Sequence, residues 1–142
     1  MNADVKVEVK FAPDGGPEPL SLAEEIYRVL DAHRGEDIAV LHVGSQIEIA
    51  DYFVLCTATS TTHVRALTDE VEFRTSEAGA PPLAAEGRGD KNSWMVLDYG
   101  SVMVHVFTRD ARQFYNLDKL YSDTEKVEVS PRAEAEEADS AE

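Results

Sequence analysis

Several residues in this sequence are of types, and at spacings, that invite chemistry. Gly44-Ser45 is followed by Asp51. A nucleotidyl-transferring site needs a Gly-Ser turn and then two carboxylates one residue apart, because divalent metal must be gripped between them. Residue 53 is Phe, so the second carboxylate is missing and two-metal catalysis is not expected. The lone cysteine, Cys56, lies inside the apolar run YFVLCT and reads as a buried small thiol rather than a nucleophile. The stretch GRGDKN has neither the spacing nor the helix start of a phosphate-binding glycine loop and reads as a flexible turn. His33, His42, His63 and His105 are scattered over four elements with no metal-ligand spacing. Arg109, Arg112 and Lys119 place three cations near the C-terminal helices, which reads as a solvated helix face. No enzyme activity, no cofactor and no metal are expected.

Residues 93–107, SWMVLDYGSVMVHVF, carry a different kind of signal. Two alternating runs flank Tyr99-Gly100, the spacing of a two-residue hairpin turn. That turn sets Asp98 opposite Ser101, Val96 opposite Met103 and Trp94 opposite His105. Met95, Leu97, Val102, Val104 and Val106 then make a purely aliphatic face, which is core. The other face mixes Trp, His, Asp and Ser with Val and Met. Such a face is either solvated or a contact surface. Its Trp94 is either an interface anchor or core beneath the C-terminal helix.

The elements that must position these residues follow from periodicity. DVKVEVKF alternates apolar and charged residues from 4 to 11, which predicts a half-buried strand, and APDGGPEP is a turn-rich linker. Ser21 with Glu24 has capping-box spacing, and Leu22, Ile26, Val29 and Leu30 make a helical stripe ended at Gly35. DIAVLHV and YFVLCT predict two strands. Ser60 to Thr62 open a helix through Val64, Leu67, Val71 and Phe73, and Leu83 to Glu86 form a brief edge strand. After the hairpin, Thr108 caps a short helix through Phe114 and Tyr115, and NLDKLY makes another turn. This order predicts a single-domain α/β fold: a mixed β-sheet with flanking helices. The boundaries fall at 1–20 (strand and linker), 21–123 (the domain) and 124–142 (an acidic tail), disordered beyond about residue 130.

With 142 residues the chain fits one domain and needs no disulfide or metal staple. Twenty-eight acids against thirteen Lys and Arg give a net charge of −15, with eight acids and only two bases after residue 121. Such a balance argues against direct, sequence-specific nucleic-acid binding and suits a basic partner. One cysteine fits a reducing compartment. No apolar run is long enough to cross a bilayer, and MNADVKVEVKF lacks the layout of a signal peptide, so a cytoplasmic protein without membrane attachment is expected.

At IADYFVLCTATS, SWMVLDYGSVMVHVF and ARQFYNLDKLY the chain resembles the ribosomal silencing factor family, also called RsfS or Iojap-like. The resemblance runs from about Asp37 to Asp123. Its most specific parts are Trp94, the DYG turn at 98–100, the V-H-V at 104–106 and the R-x-F-Y-x-L at 112–117. Two family positions differ: a strand Asp is His42 here, and a late Trp is Tyr121. The resemblance implies a non-catalytic relative of the nucleotidyltransferase fold, with that topology. It implies binding to the large ribosomal subunit through its protein L-fourteen, and steric blockade of subunit joining. On the matching motifs it implies partner contacts at Trp94 and Asp98, and at Tyr99, His105 and Tyr115. The alternatives are a nucleotidyltransferase-like enzyme with displaced ligands and an adaptor that forms a homodimer through the Trp94 face.

Overall fold

A computed structural model describes residues 7–130. Helix α1 spans Pro19–Ala32, strand β1 Glu36–His42, β2 Tyr52–Ala58, α2 Thr61–Glu77, β3 Ala84–Arg88, β4 Trp94–Asp98, β5 Val102–Thr108, α3 Arg109–Tyr115, α4 Leu117–Leu120 and β6 Glu125–Val127. A 3₁₀ turn at Asp90–Asn92 joins β3 to β4. The six strands form one sheet in the order β3-β4-β5-β2-β1-β6. β2 and β5 run parallel, and every other neighbouring pair is antiparallel. A parallel pair needs a long connection, and α2 with the β3–β4 hairpin supplies it. The mixed sheet with flanking helices expected from the sequence is therefore present.

The sheet has two differently covered faces. One carries Val40, Val54, Cys56, Leu97, Val104 and Val106 and is packed beneath α1 and α2. The helical stripe Leu22, Ile26, Val29, Leu30 is fully buried there, joined by Val64, Leu67 and Val71 of α2. Phe73 turns outward and is half exposed, one residue off that stripe. The second face carries Leu41, Phe53, Leu55, Val96, Phe107 and Trp94. Ala111, Leu117 and Tyr121 and the loop between β1 and β2 pack on it and bury these residues, with Asp98 and Met103 left partly exposed.

Helix α1 starts two residues before the Ser21 start expected for it. Glu18 is its N-cap, accepting from Ser21 N–H at 2.7 Å. Pro19 suits the first turn, where no amide hydrogen is needed. Ser60 caps α2 by accepting from His63 N–H at 3.1 Å, and Thr108 caps α3 by accepting from Ala111 N–H at 3.2 Å.

Three expectations are corrected. Residues 7–10 are not a strand, and Phe11 makes only an isolated bridge to Pro17; residues 4–6 lie outside the described residues. Val7 and Val9 still pack on the core, but the backbone at Glu8 and Lys10 bonds side chains of α1. Glu8 N–H donates to Glu25 Oε1 at 3.2 Å and Lys10 N–H to Ser21 Oγ at 3.0 Å. The hairpin closes one residue later than expected: Tyr99 N–H donates to Val102 O at 2.8 Å around Gly100-Ser101. Asp98 therefore pairs with Met103, Val96 with His105 and Trp94 with Phe107. Finally, residues 125–127 are a strand on β1 rather than tail, and Arg28 Nε donates to Ser130 O at 2.9 Å. The expected disorder at 131–142 lies outside the described residues.

Candidate protein-interaction site

The later turn shifts each hairpin partner by two positions. Two is the strand period, so Trp94, Val96 and Asp98 on β4 and Met103 and His105 on β5 stay on the mixed face, while Ser101 moves into the turn and Phe107 joins opposite Trp94. Phe53 and Leu55 of β2 continue that face. Rings on it form a row across the sheet. Tyr115 lies 4.5 Å from Trp94 between ring centroids, Trp94 5.9 Å from His105, His105 4.6 Å from Phe53, and Phe53 5.0 Å from Tyr121. The two ends of the row, Tyr115 and Tyr121, come from the segments flanking α4 and are partly exposed.

Trp94 itself is 9 % exposed. Phe107 stacks on it at 5.2 Å, Tyr115 covers it, and the Arg88 guanidinium sits 5.0 Å over its ring. This is a large ring buried beneath the C-terminal helix, with Tyr115 at 37 % and Phe114 at 80 % exposure as the outward surface. Leu120 adds a further exposed apolar side chain. Trp94 Nε1–H donates to His105 Nδ1 at 3.2 Å. That bond leaves Nδ1 without a proton. Burial, and then the positive charge of Arg88, lower the His105 pKa to about 3. His105 is therefore a neutral imidazole with its proton on Nε2.

Asp98 is half exposed on the same face, and its Oδ1 accepts from Gly100 N–H at 2.8 Å, which braces the turn. Gly100 has φ +86°, a conformation that costs glycine little. Tyr99 goes elsewhere. It is buried under α2 on the opposite face, with its hydroxyl 2.8 Å from Thr75 Oγ1. Burial raises its pKa. Four of the five named partner residues thus share one face, and Tyr99 belongs to the core behind it.

Arg112, taken from the sequence as part of a solvated face, is instead a structural clamp. Its guanidinium grips Asp118 at 2.9 and 3.0 Å and donates to Asp37 O at 2.6 Å and Thr57 Oγ1 at 3.0 Å. One side chain thereby ties α3, α4, β1 and β2, and fixes the segment that carries Tyr115 and Tyr121. Hydrogen bonding from Arg112 is the main cause that lowers the Asp118 pKa. Nothing in the single-residue pattern signals this, because the three partners are 6 to 75 positions away. Arg109 pairs with Glu36 at 2.6 Å, and Lys119 stays exposed.

The catalytic candidates are placed as follows. Gly44 and Asp51 are adjacent, with Gly44 N–H donating to Asp51 O at 3.1 Å. Two residues on, Phe53 points into the second core and offers no ligand. Burial pushes the Cys56 thiol up to about 12, which leaves it protonated and unreactive at neutral pH. His63 accepts from Thr59 N–H at 3.0 Å and bonds His33 O at 3.1 Å, so it staples α2 to the end of α1. His42 stacks on Tyr52. Among the described residues, no three His, Cys, Asp or Glu side chains converge where they could hold a metal ion. No helix among them is long and apolar enough to cross a membrane.

Comparison with known proteins adds an independent line. Residues 17–142 match the family model described as "Ribosomal silencing factor during starvation" (RsfS). The ribosomal silencing factor RsfS of Haemophilus influenzae is 34 % identical over 103 residues, covering 72 % of this chain and all of that one. Its Bacillus subtilis counterpart is 39 % identical over 93 residues, covering 66 % of this chain and 78 % of that one. The mouse protein named mitochondrial assembly of ribosomal large subunit protein 1 is 27 % identical over 96 residues, covering 66 % of this chain and 42 % of that one. A crystal structure of a protein from Chromobacterium violaceum superposes with a TM-score of 0.65 at 28 % identity, covering 73 % of this chain and 83 % of that one.

Proposed function

Because the chain belongs to the ribosomal silencing factor (RsfS) family, we propose that it is a translation repressor that docks on the large ribosomal subunit and blocks joining of the small subunit. The contact we assign is protein L-fourteen of the large subunit, and the docking surface is the rim of exposed side chains over the second sheet face. The observation that carries this reading is the aromatic row over that face. Two helices seal the opposite face, but here Tyr115, Phe114, Tyr121 and Leu120 remain partly or largely exposed around a buried Trp94. Exposed aromatic rings next to a rigid buried ring are what a protein interface uses for anchors. The net charge of −15 favours encounter with a basic surface such as that of a ribosomal protein. The name of the mouse relative, which refers to the large ribosomal subunit, points the same way.

In this mechanism the protein performs no chemistry. It occupies surface that the small subunit needs, and its affinity for the large subunit sets the degree of repression. Co-sedimentation with separately purified subunits tests the docking step. The chain is expected to pellet with large subunits and to stay in solution with small ones. Equal recovery with both, or with neither at low salt, contradicts the reading.

A further inference from the structure

His105 Nε2 is buried, and no group among the described residues accepts a hydrogen bond from it. The other ring nitrogen is already committed: Trp94 Nε1–H can only donate, so Nδ1 must accept, and the proton of the neutral ring sits on Nε2. A buried donor without an acceptor is costly, and folded proteins rarely leave one so. A carbon ring in its place would strip Trp94 Nε1–H of its acceptor, so the fold keeps a histidine in the middle of an otherwise apolar and aromatic cluster, with Nε2–H left over. The side chain is 3 % exposed.

Its neighbours on the face show where an acceptor could arrive. Phe53, Leu55, Val96, Trp94 and Phe107 around it are all buried, and Met103, two residues before it on β5, is only half-buried. Methionine is unbranched and flexible, so it is the side chain in this ring that can swing aside at least cost.

We propose that His105 Nε2–H is a donor held for the partner: on docking, a peptide carbonyl of the partner protein displaces Met103 and accepts this hydrogen bond. The proposal rests on the reading that this face docks on a protein. It adds the chemistry of recognition. A neutral acceptor is selected at the centre of the patch. A lysine or arginine there would meet a proton and be rejected, although the acidic surroundings attract basic surfaces at long range. His105 is thus a specificity residue, and the Trp94 bond positions it by fixing the tautomer.

Two measurements test this. Long-range ¹H–¹⁵N spectra of the histidine-labelled free chain should show His105 with Nε2 protonated and Nδ1 bare; the reverse tautomer overturns the proposal. Binding to purified large subunits is then compared for wild type, His105→Phe and His105→Gln. His105→Phe exchanges one unpaired buried donor for another, since Trp94 Nε1–H loses its acceptor, so its melting temperature should stay within a few degrees of wild type. Its affinity should fall roughly ten-fold, because the partner's acceptor is left unpaired. His105→Gln, whose amide nitrogen reaches the Nε2 position, should recover part of that loss. A folded His105→Phe that binds like wild type overturns the proposal. If His105→Phe does not fold, a folded His105→Gln that binds no better than Tyr115→Ala does the same. Wild-type chain that fails to bind large subunits at all removes the functional reading itself, and the proposal with it.

Discussion

Replacing Trp94 by Ala removes a ring packed between Phe107 and Tyr115 and leaves His105 Nδ1 without its donor. Large-to-small changes of this kind cost about 3–5 kcal/mol of folding stability, or roughly 10–20 °C in melting temperature for a domain of this size. Circular dichroism melting should show that drop; an unchanged midpoint would mean the ring is not core. Trp94→Ala is therefore a poor probe of docking, and the outward residues are better ones. Tyr115 is 37 % exposed, so Tyr115→Ala should stay folded at 25 °C while binding to large subunits weakens at least ten-fold. Normal binding by the folded variant would remove this edge of the patch from the interface. From the sequence, Trp94 was legible as either core or anchor, and in the structure the ring lies buried against Phe107 and Tyr115. Tyr99 was read as a turn residue and a partner contact, whereas it is buried against Thr75, because hairpin position alone does not say which face a turn-flanking residue takes.

At the scale of elements, the strands and helices were legible wherever one face is apolar and the other charged. The stripe of α1 and the aliphatic face of the hairpin come through because burial imposes the period of the element on the sequence. Alternation failed at residues 7–10, where Val7 and Val9 pack inward but Glu25 and Ser21 take the backbone hydrogen bonds that a neighbouring strand would have taken. Strand β6 has one apolar residue in three and was hidden within an acidic stretch; it is recruited by the free edge of β1. Truncation after Asp123 should accordingly lower the melting temperature, since Val127 and Val129 lose their packing, whereas truncation after Ser130 should not. Equal melting of the two truncations would contradict the role given to β6. The Arg112 clamp makes a prediction in pH. The Asp118 carboxyl is held below its ordinary value, first by the Arg112 hydrogen bonds, so it adds stability above the ordinary carboxylate range near pH 4. That contribution is lost as pH falls through the depressed value. Carboxyl-carbon NMR should find Asp118 titrating below free Asp in wild type and near or above it in Arg112→Met; the same midpoint in both would dissolve the clamp.

For the whole molecule, the fold class and the family's motifs were readable from one chain, but the sheet order was not. That order depends on pairings between distant segments, such as β2 with β5, which leave no local mark. The asymmetry it creates is the functional point: one sheet face sealed by two helices, and the other left as a rim of exposed rings around a buried Trp–His pair. The most direct test of steric silencing is a light-scattering assay of subunit joining. Large subunits incubated first with the chain should fail to join small subunits in proportion to occupancy, while chain added to ribosomes already joined should have little immediate effect. Joining at an unchanged rate and extent, with the chain shown to be bound to the large subunit, would contradict the account.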